Sequence, residues 1–96
     1  MAELTLVSQD SGSLKPLIEG AITEALRTTE AGIQCTEQRL QAFEQKYQLS
    51  TQDFLNRYEN DEFPETLDLD EWIGESRMLQ RLQEKAARLR GIEFAN

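Results

Sequence analysis

The chain has no histidine and one cysteine, and its basic residues are outnumbered by acids, ten against eighteen. Each shortage removes a class of function. Without histidine there is no Ser-His-Asp triad, no imidazole general base and none of the common zinc sites. A di-iron carboxylate bundle is excluded too, because its Glu-x-x-His pairs need histidine. A lone Cys35 cannot close an internal disulfide, which favours a reducing, cytoplasmic setting. We read it as a small buried apolar residue beside a helical seam, not as a nucleophile. A net charge of −8 argues against direct nucleic-acid binding, since phosphates are held by clustered Lys and Arg. No apolar run approaches the ~20 residues that span a bilayer. The opening "MAELTLVSQD" lacks a basic stretch ahead of its short apolar run, so no signal peptide is expected.

What remains is a 96-residue chain, one domain's worth, with 39% hydrophobic and 29% charged residues. The expected fold is all-α: a long antiparallel helical hairpin with a short helix at the turn, dimerising into a four-helix bundle. Residues 1–13 stand apart as a flexible arm, with a short strand for a partner's sheet edge as the alternative reading of its β-favouring Leu4, Leu6 and Val7. Residues 14–96 form the helical interaction domain.

The first helix is expected over 14–47. Ile18, Ile22, Ala25, Thr29, Gly32, Thr36, Leu40, Phe43 and Tyr47 recur at alternating threes and fours, close to a heptad seam. Ser13 is its expected N-cap, and Pro16 falls in the first turn, where proline is tolerated. Such a helix is about 50 Å long. A second helix is expected over 51–60, opened by a Ser50/Asp53 capping box and closed by Asn60 and Pro64. The third spans 68–90, with a stripe of Leu69, Trp72, Ile73, Ser76, Leu79, Leu82, Ala86 and Leu89, and Gly91 stops it. Glycines inside helices cost about 1 kcal/mol each. Close helix approach is therefore expected at Gly32, near Leu82, and at Gly74, near Leu40. The first helix outruns the third, and a two-helix hairpin buries little surface, so a homodimer is expected.

Charge is sharply sorted. Between Arg57 and Arg77 stand eight acids and no base, and from Arg77 to Arg90 five bases face only Glu84. Acids at the start of a helix and bases at its end suit the macrodipole, by a few tenths to ~1 kcal/mol each. A second reading is a metal site. Glu71 and Glu75 share a helix face, and Glu59 and Glu62 come from a neighbouring helix. The analogy is to Mg²⁺-dependent nucleotide pyrophosphatases of the MazG type. The first reading is preferred; no catalytic residue, metal or cofactor is assigned, and the chain is not expected to be an enzyme. Trp72 and Ile73 are either core of the hairpin, with Trp72 on Phe54 or Phe43, or a hot spot for a partner.

The stretches "KYQLSTQDFLNRYENDEF" and "LDEWIGESRMLQRLQEKAARLRGI" resemble a family of small acidic antitoxins of cyanobacteria and archaea, encoded beside TumE-like toxins. Its pattern is a long helix, Lys-Tyr/Phe-Gly-Met/Leu-Ser/Thr, a Phe, an Arg/Lys-aromatic pair and a Gly turn. Glu-Trp-x-Gly-Glu and a Leu-rich helix follow. Lys46, Tyr47, Leu49, Ser50, Phe54, Arg57 and Tyr58 match it, as do Glu71, Trp72, Gly74, Glu75, Leu79 and Leu82. Gln48 and Asp61 stand where the pattern has glycine. The resemblance covers residues 18–92 and implies a module that binds and neutralises a small, basic toxin. The surface expected to meet it comprises Asp61, Glu62, Glu65, Asp68, Trp72 and Ile73. The rival reading is a homodimeric coiled-coil scaffold with no toxin partner.

Overall fold

The computed structural model describes residues 2–4 and 11–94, in the order β1 (Ala2–Leu4), α1 (Ser11–Tyr47), α2 (Thr51–Glu59), α3 (Leu67–Arg90) and β2 (Ile92–Phe94). Three helices carry the architecture. α1 and α3 pack antiparallel along their length, and α2 sits at the closed end. The expected all-α hairpin is what the structure shows. Its register follows from three contacts: Gly32 lies against Leu82, Arg39 pairs with Glu75, and Lys46 pairs with Asp68. Extending it puts Arg90 opposite about residue 24, so the first turns of α1 run on for roughly 20 Å past the end of α3.

The N-terminal segment departs from the expected flexible arm. Ala2–Leu4 pairs in parallel with Ile92–Phe94 of the same chain, Ala2 opposite Ile92 and Leu4 opposite Phe94. Ile92 and Phe94 of the second segment are β-favouring, and Gly91 releases the chain from α3 just before them, whereas Ala2–Leu4 carries no such bias. Leu6 and Val7 lie outside the described residues. α1 begins at Ser11, so Ser13 is inside the helix and does not cap it, and Pro16 stands in its second turn. The ring there removes the N–H that would reach the carbonyl of Gly12.

The other ends follow local chemistry closely. The Ser50 hydroxyl accepts from the Asp53 N–H at 3.1 Å. Glu44 of α1 takes a second free donor, the Thr51 N–H, at 2.7 Å. α3 is capped by Thr66, whose hydroxyl accepts from the Leu69 N–H at 3.2 Å. The acids Asp68 and Asp70 then occupy its first turn and Arg88 and Arg90 its last. α1 and α2 both end in Schellman turns. The Leu49 N–H reaches the Glu44 carbonyl (3.2 Å), and the Glu62 N–H reaches the Arg57 carbonyl (3.1 Å). Each turn needs one left-handed residue. These are Gln48 (φ 51°) and Asp61 (φ 57°), the non-glycine residues with positive φ among those described.

The core is concentrated at the closed end, where Leu40, Phe54, Leu69 and Trp72 are buried together. Further along the hairpin the seam is lined by smaller groups: Thr36, Thr29 and Ala86. The Thr29 hydroxyl is satisfied by the Ala25 carbonyl at 2.7 Å. Gly32 has the expected neighbour, for a Cβ built there lies 3.4 Å from Leu82 Cδ1. Gly74 does not. Nothing lies within 4 Å of its Cβ position, because it faces outward along the hairpin and not toward Leu40. Cys35 is likewise exposed, one step off the seam between Gly32 and Thr36.

A left-handed L-residue carries roughly 1 kcal/mol of strain that glycine does not. Gln48→Gly is therefore expected to raise stability by about 0.5–1 kcal/mol, read from urea denaturation. Asp61→Gly should gain less, because aspartate tolerates this conformation better.

Candidate partner-binding end

Trp72 lies where the three helices converge, and it is fully buried. Phe54 of α2 stacks on its ring at 4.0 Å between centroids, with Phe43 and Tyr47 of α1 each at 5.6 Å. Its indole N–H donates to the Thr51 hydroxyl at 2.9 Å. A tryptophan enclosed this way satisfies its one polar atom internally and offers nothing to a partner. The expectation that Trp72 itself touches a partner is thus corrected to the core reading. Ile73, half-buried, packs against the same cluster. Phe63 of the connector lies 5.7 Å from Phe54 and is covered by the Arg57 guanidinium at 5.0 Å. The connector is thereby fixed onto the hairpin.

The acids of the proposed surface are arranged around this plug. Asp61, Glu62 and Glu65 are exposed. Asp61 occupies the left-handed turn position, and Glu62 accepts from Arg57 Nε at 3.1 Å. Asp68 is partly covered and differently engaged. The Lys46 ammonium and the Tyr47 hydroxyl, the latter at 2.7 Å, both donate to one of its carboxylate oxygens. Those two hydrogen bonds, lysine's first, hold the Asp68 carboxyl below its ordinary value. The same contact raises Lys46 and Tyr47 above theirs. Tyr58 is also raised, first by burial and then by the carboxylates of Asp70, Glu65 and Asp61. The structure thus leaves Asp61, Glu62 and Glu65 of the connector open to solvent, uses Asp68 to tie α3 to α1, and withdraws Trp72 into the core.

Sequence reasoning missed Leu67. It is 75% exposed, at the first position of α3 beside the acidic connector. Its signal was its place just ahead of the buried stripe, one step outside the periodic positions. The carboxylates weighed as a metal site do not converge: among the described residues no group of three or more His, Cys, Asp or Glu side chains could hold a metal ion. Glu75 is instead engaged by Arg39 at 3.4 Å. Among the described residues, no helix is long and apolar enough to cross a membrane. No family model, curated protein or solved structure matches this chain.

Two outcomes follow from this geometry. Thr51→Val strands the indole N–H of Trp72 in the core, which costs about 1–3 kcal/mol. In a Trp72→Phe background the same change should cost much less, and a double-mutant cycle by denaturation reads the difference. For Asp68, whose folded value is lowered, the carboxylate's contribution is present above the unfolded value of about 4 and is lost as pH falls through the folded one. Asp68→Asn should therefore lower stability slightly at pH 7, and the difference from the parent protein should shrink as the solution is acidified below the ordinary carboxylate range, measured by thermal melts at a series of pH values.

Proposed function

We propose that this chain is an antitoxin-like protein-interaction module, acting as a homodimer in the cytoplasm, that binds and neutralises a small basic toxin protein. The single observation that carries this reading is the closed end of the hairpin, where the connector and the start of α3 expose Asp61, Glu62 and Glu65 together with Leu67. Acids of one sign steer a basic partner and raise its association rate. A protruding leucine on a rigid end then supplies the apolar contact on which affinity depends. The aromatic plug beneath keeps that end ordered before the partner arrives, which lowers the entropic cost of binding. Three further observations support the reading. The sequence resembles the antitoxin family over residues 18–92. The two positions where that family's pattern has glycine, Gln48 and Asp61, are in the left-handed conformation glycine favours. The acids expected to face the partner point outward, apart from Asp68. No catalytic, metal or cofactor role is proposed.

The decisive assay is co-expression with the neighbouring reading frame. A neighbour that arrests growth alone and not in the presence of this chain is the expected result. A harmless neighbour, or one that kills equally in both cases, overturns the antitoxin reading in favour of a scaffold. In purified complexes, reversing Asp61, Glu62 and Glu65 to Lys should slow association by about tenfold or more at low salt, and much less above ~0.5 M salt. Leu67→Asp should instead accelerate dissociation, and surface plasmon resonance separates the two effects.

A further inference from the structure

The two exposed flanks of α1 are unlike each other. One carries Glu19, Thr23, Glu30, Gln34, Glu37 and Gln41, all polar. The other carries Leu17, Ala21, Thr28, Ala31, Cys35 and Ala42, all exposed and spaced in the threes, fours and sevens of a heptad pattern. Only a few polar side chains interrupt this second flank, among them Glu24, paired with Arg27, and Arg39, paired with Glu75. Leu17 is 70% exposed. On the same side, Ala42, Phe43 and Gly74, with Arg39, Glu71 and Glu75 at its edges, line a shallow groove of about 470 Å³, and Met78 of α3 is exposed.

The surface left uncovered has the size of an interface. The accessible area is 7180 Å², where a compact chain of this mass exposes about 5,600 Å². The radius of gyration is 19.0 Å, against about 12.5 Å for a compact domain of this length. An excess of about 1,600 Å² per chain matches what each partner gives up in an obligate dimer.

We propose that this face binds a second copy of the chain, with α1 antiparallel to its counterpart across a two-fold axis near Thr28 and Ala31. Leu17 of each copy then seats in the groove beside Ala42 and Gly74 of the other. The small residues between let the two helices approach closely, and Arg39 falls opposite Gly20, where there is room. Charge selects the antiparallel sense. A parallel pair would set two acidic ends side by side, whereas the antiparallel pair brings each acidic end to the start of the other α1. That helix start carries the positive end of its dipole and no acid in its first turn. The proposal deepens the homodimer part of the reading above and does not depend on a toxin.

The test uses the full chain purified alone. Light scattering at tens of micromolar should give twice the 11.0 kDa chain mass. Leu17→Asp should weaken the dimer by about a hundredfold or more, because the contact occurs twice. Gln34→Lys, on the polar flank, should leave the mass unchanged. Gly74→Gln improves helix propensity, so the hairpin should keep its circular dichroism while the filled groove loses the dimer. In a Cys35→Ser background, Leu17→Cys with Ala42→Cys should give a covalent dimer on oxidation. The two positions lie about 37 Å apart along one helix and cannot bridge within a chain. A mass of one chain at this concentration overturns the proposal. So does a dimer indifferent to Leu17→Asp that forms no disulfide. Either result leaves the toxin assay unaffected, and failure of the toxin assay leaves this face standing.

Discussion

The stack of Trp72 on Phe54 ties three helices into one body. α2 is nine residues long, too short to persist alone in water. It is held because Phe54 is enclosed between Trp72, Tyr58 and Phe63. α3 is registered against α1 because the other contacts of the indole go to Phe43 and Tyr47. The hydrogen bond from Trp72 to Thr51 then orients the ring, so the aromatic packing has one arrangement. Away from this point the buried positions are Thr29, Thr36 and Ala86, and the larger seam residues Ile22, Leu82 and Leu89 are only half-buried.

That distribution separates the tasks of the two ends. The closed end has a dense core, two satisfied Schellman turns and a connector pinned by Phe63, so its exposed acids are presented on a rigid base. The open end has the turns of α1 that extend past α3 and a two-stranded ribbon of three-residue strands. Salt bridges do little to even this out. Arg57–Glu62 and Arg90–Glu30 are about half exposed, and such pairs contribute ~0–1 kcal/mol.

Much of this was legible in the residues. Heptad-like spacing marked the seam, and Thr29, Thr36, Leu40, Leu69, Trp72 and Ala86 are buried along it. The caps and stops at Ser50, Asn60 and Gly91 were readable because they depend on neighbours two to four residues away. What escaped depended on distant partners or on direction. The pairing of Ala2–Leu4 with Ile92–Phe94 joins opposite ends of the chain, and nothing local announces it. Gly74 and Cys35 were read as packed from their proximity to apolar stripes, yet a shift of one position rotates a side chain by 100° and turns it outward. Trp72 and Leu67 illustrate the same limit. The residues allowed the tryptophan as core on Phe54 or Phe43 or as an anchor for a partner; its geometry selects the core reading, while the exposure of a leucine five residues earlier was not read.

The antiparallel register also has a kinetic side. Contact between Lys46 and Asp68 closes a short loop, Arg39 with Glu75 a longer one, and Gly32 with Leu82 a longer one still. Each closure costs more chain entropy if made first, and little once the preceding one is in place. Chain entropy therefore favours assembly as a zipper from the aromatic end, where Trp72, Phe54 and Phe43 meet, with the ribbon of β1 and β2 last. Unfolding retraces the path from the other direction. The end that carries the exposed acids is the first to form and the last to be lost, so a chain partly melted at its open end still presents them intact.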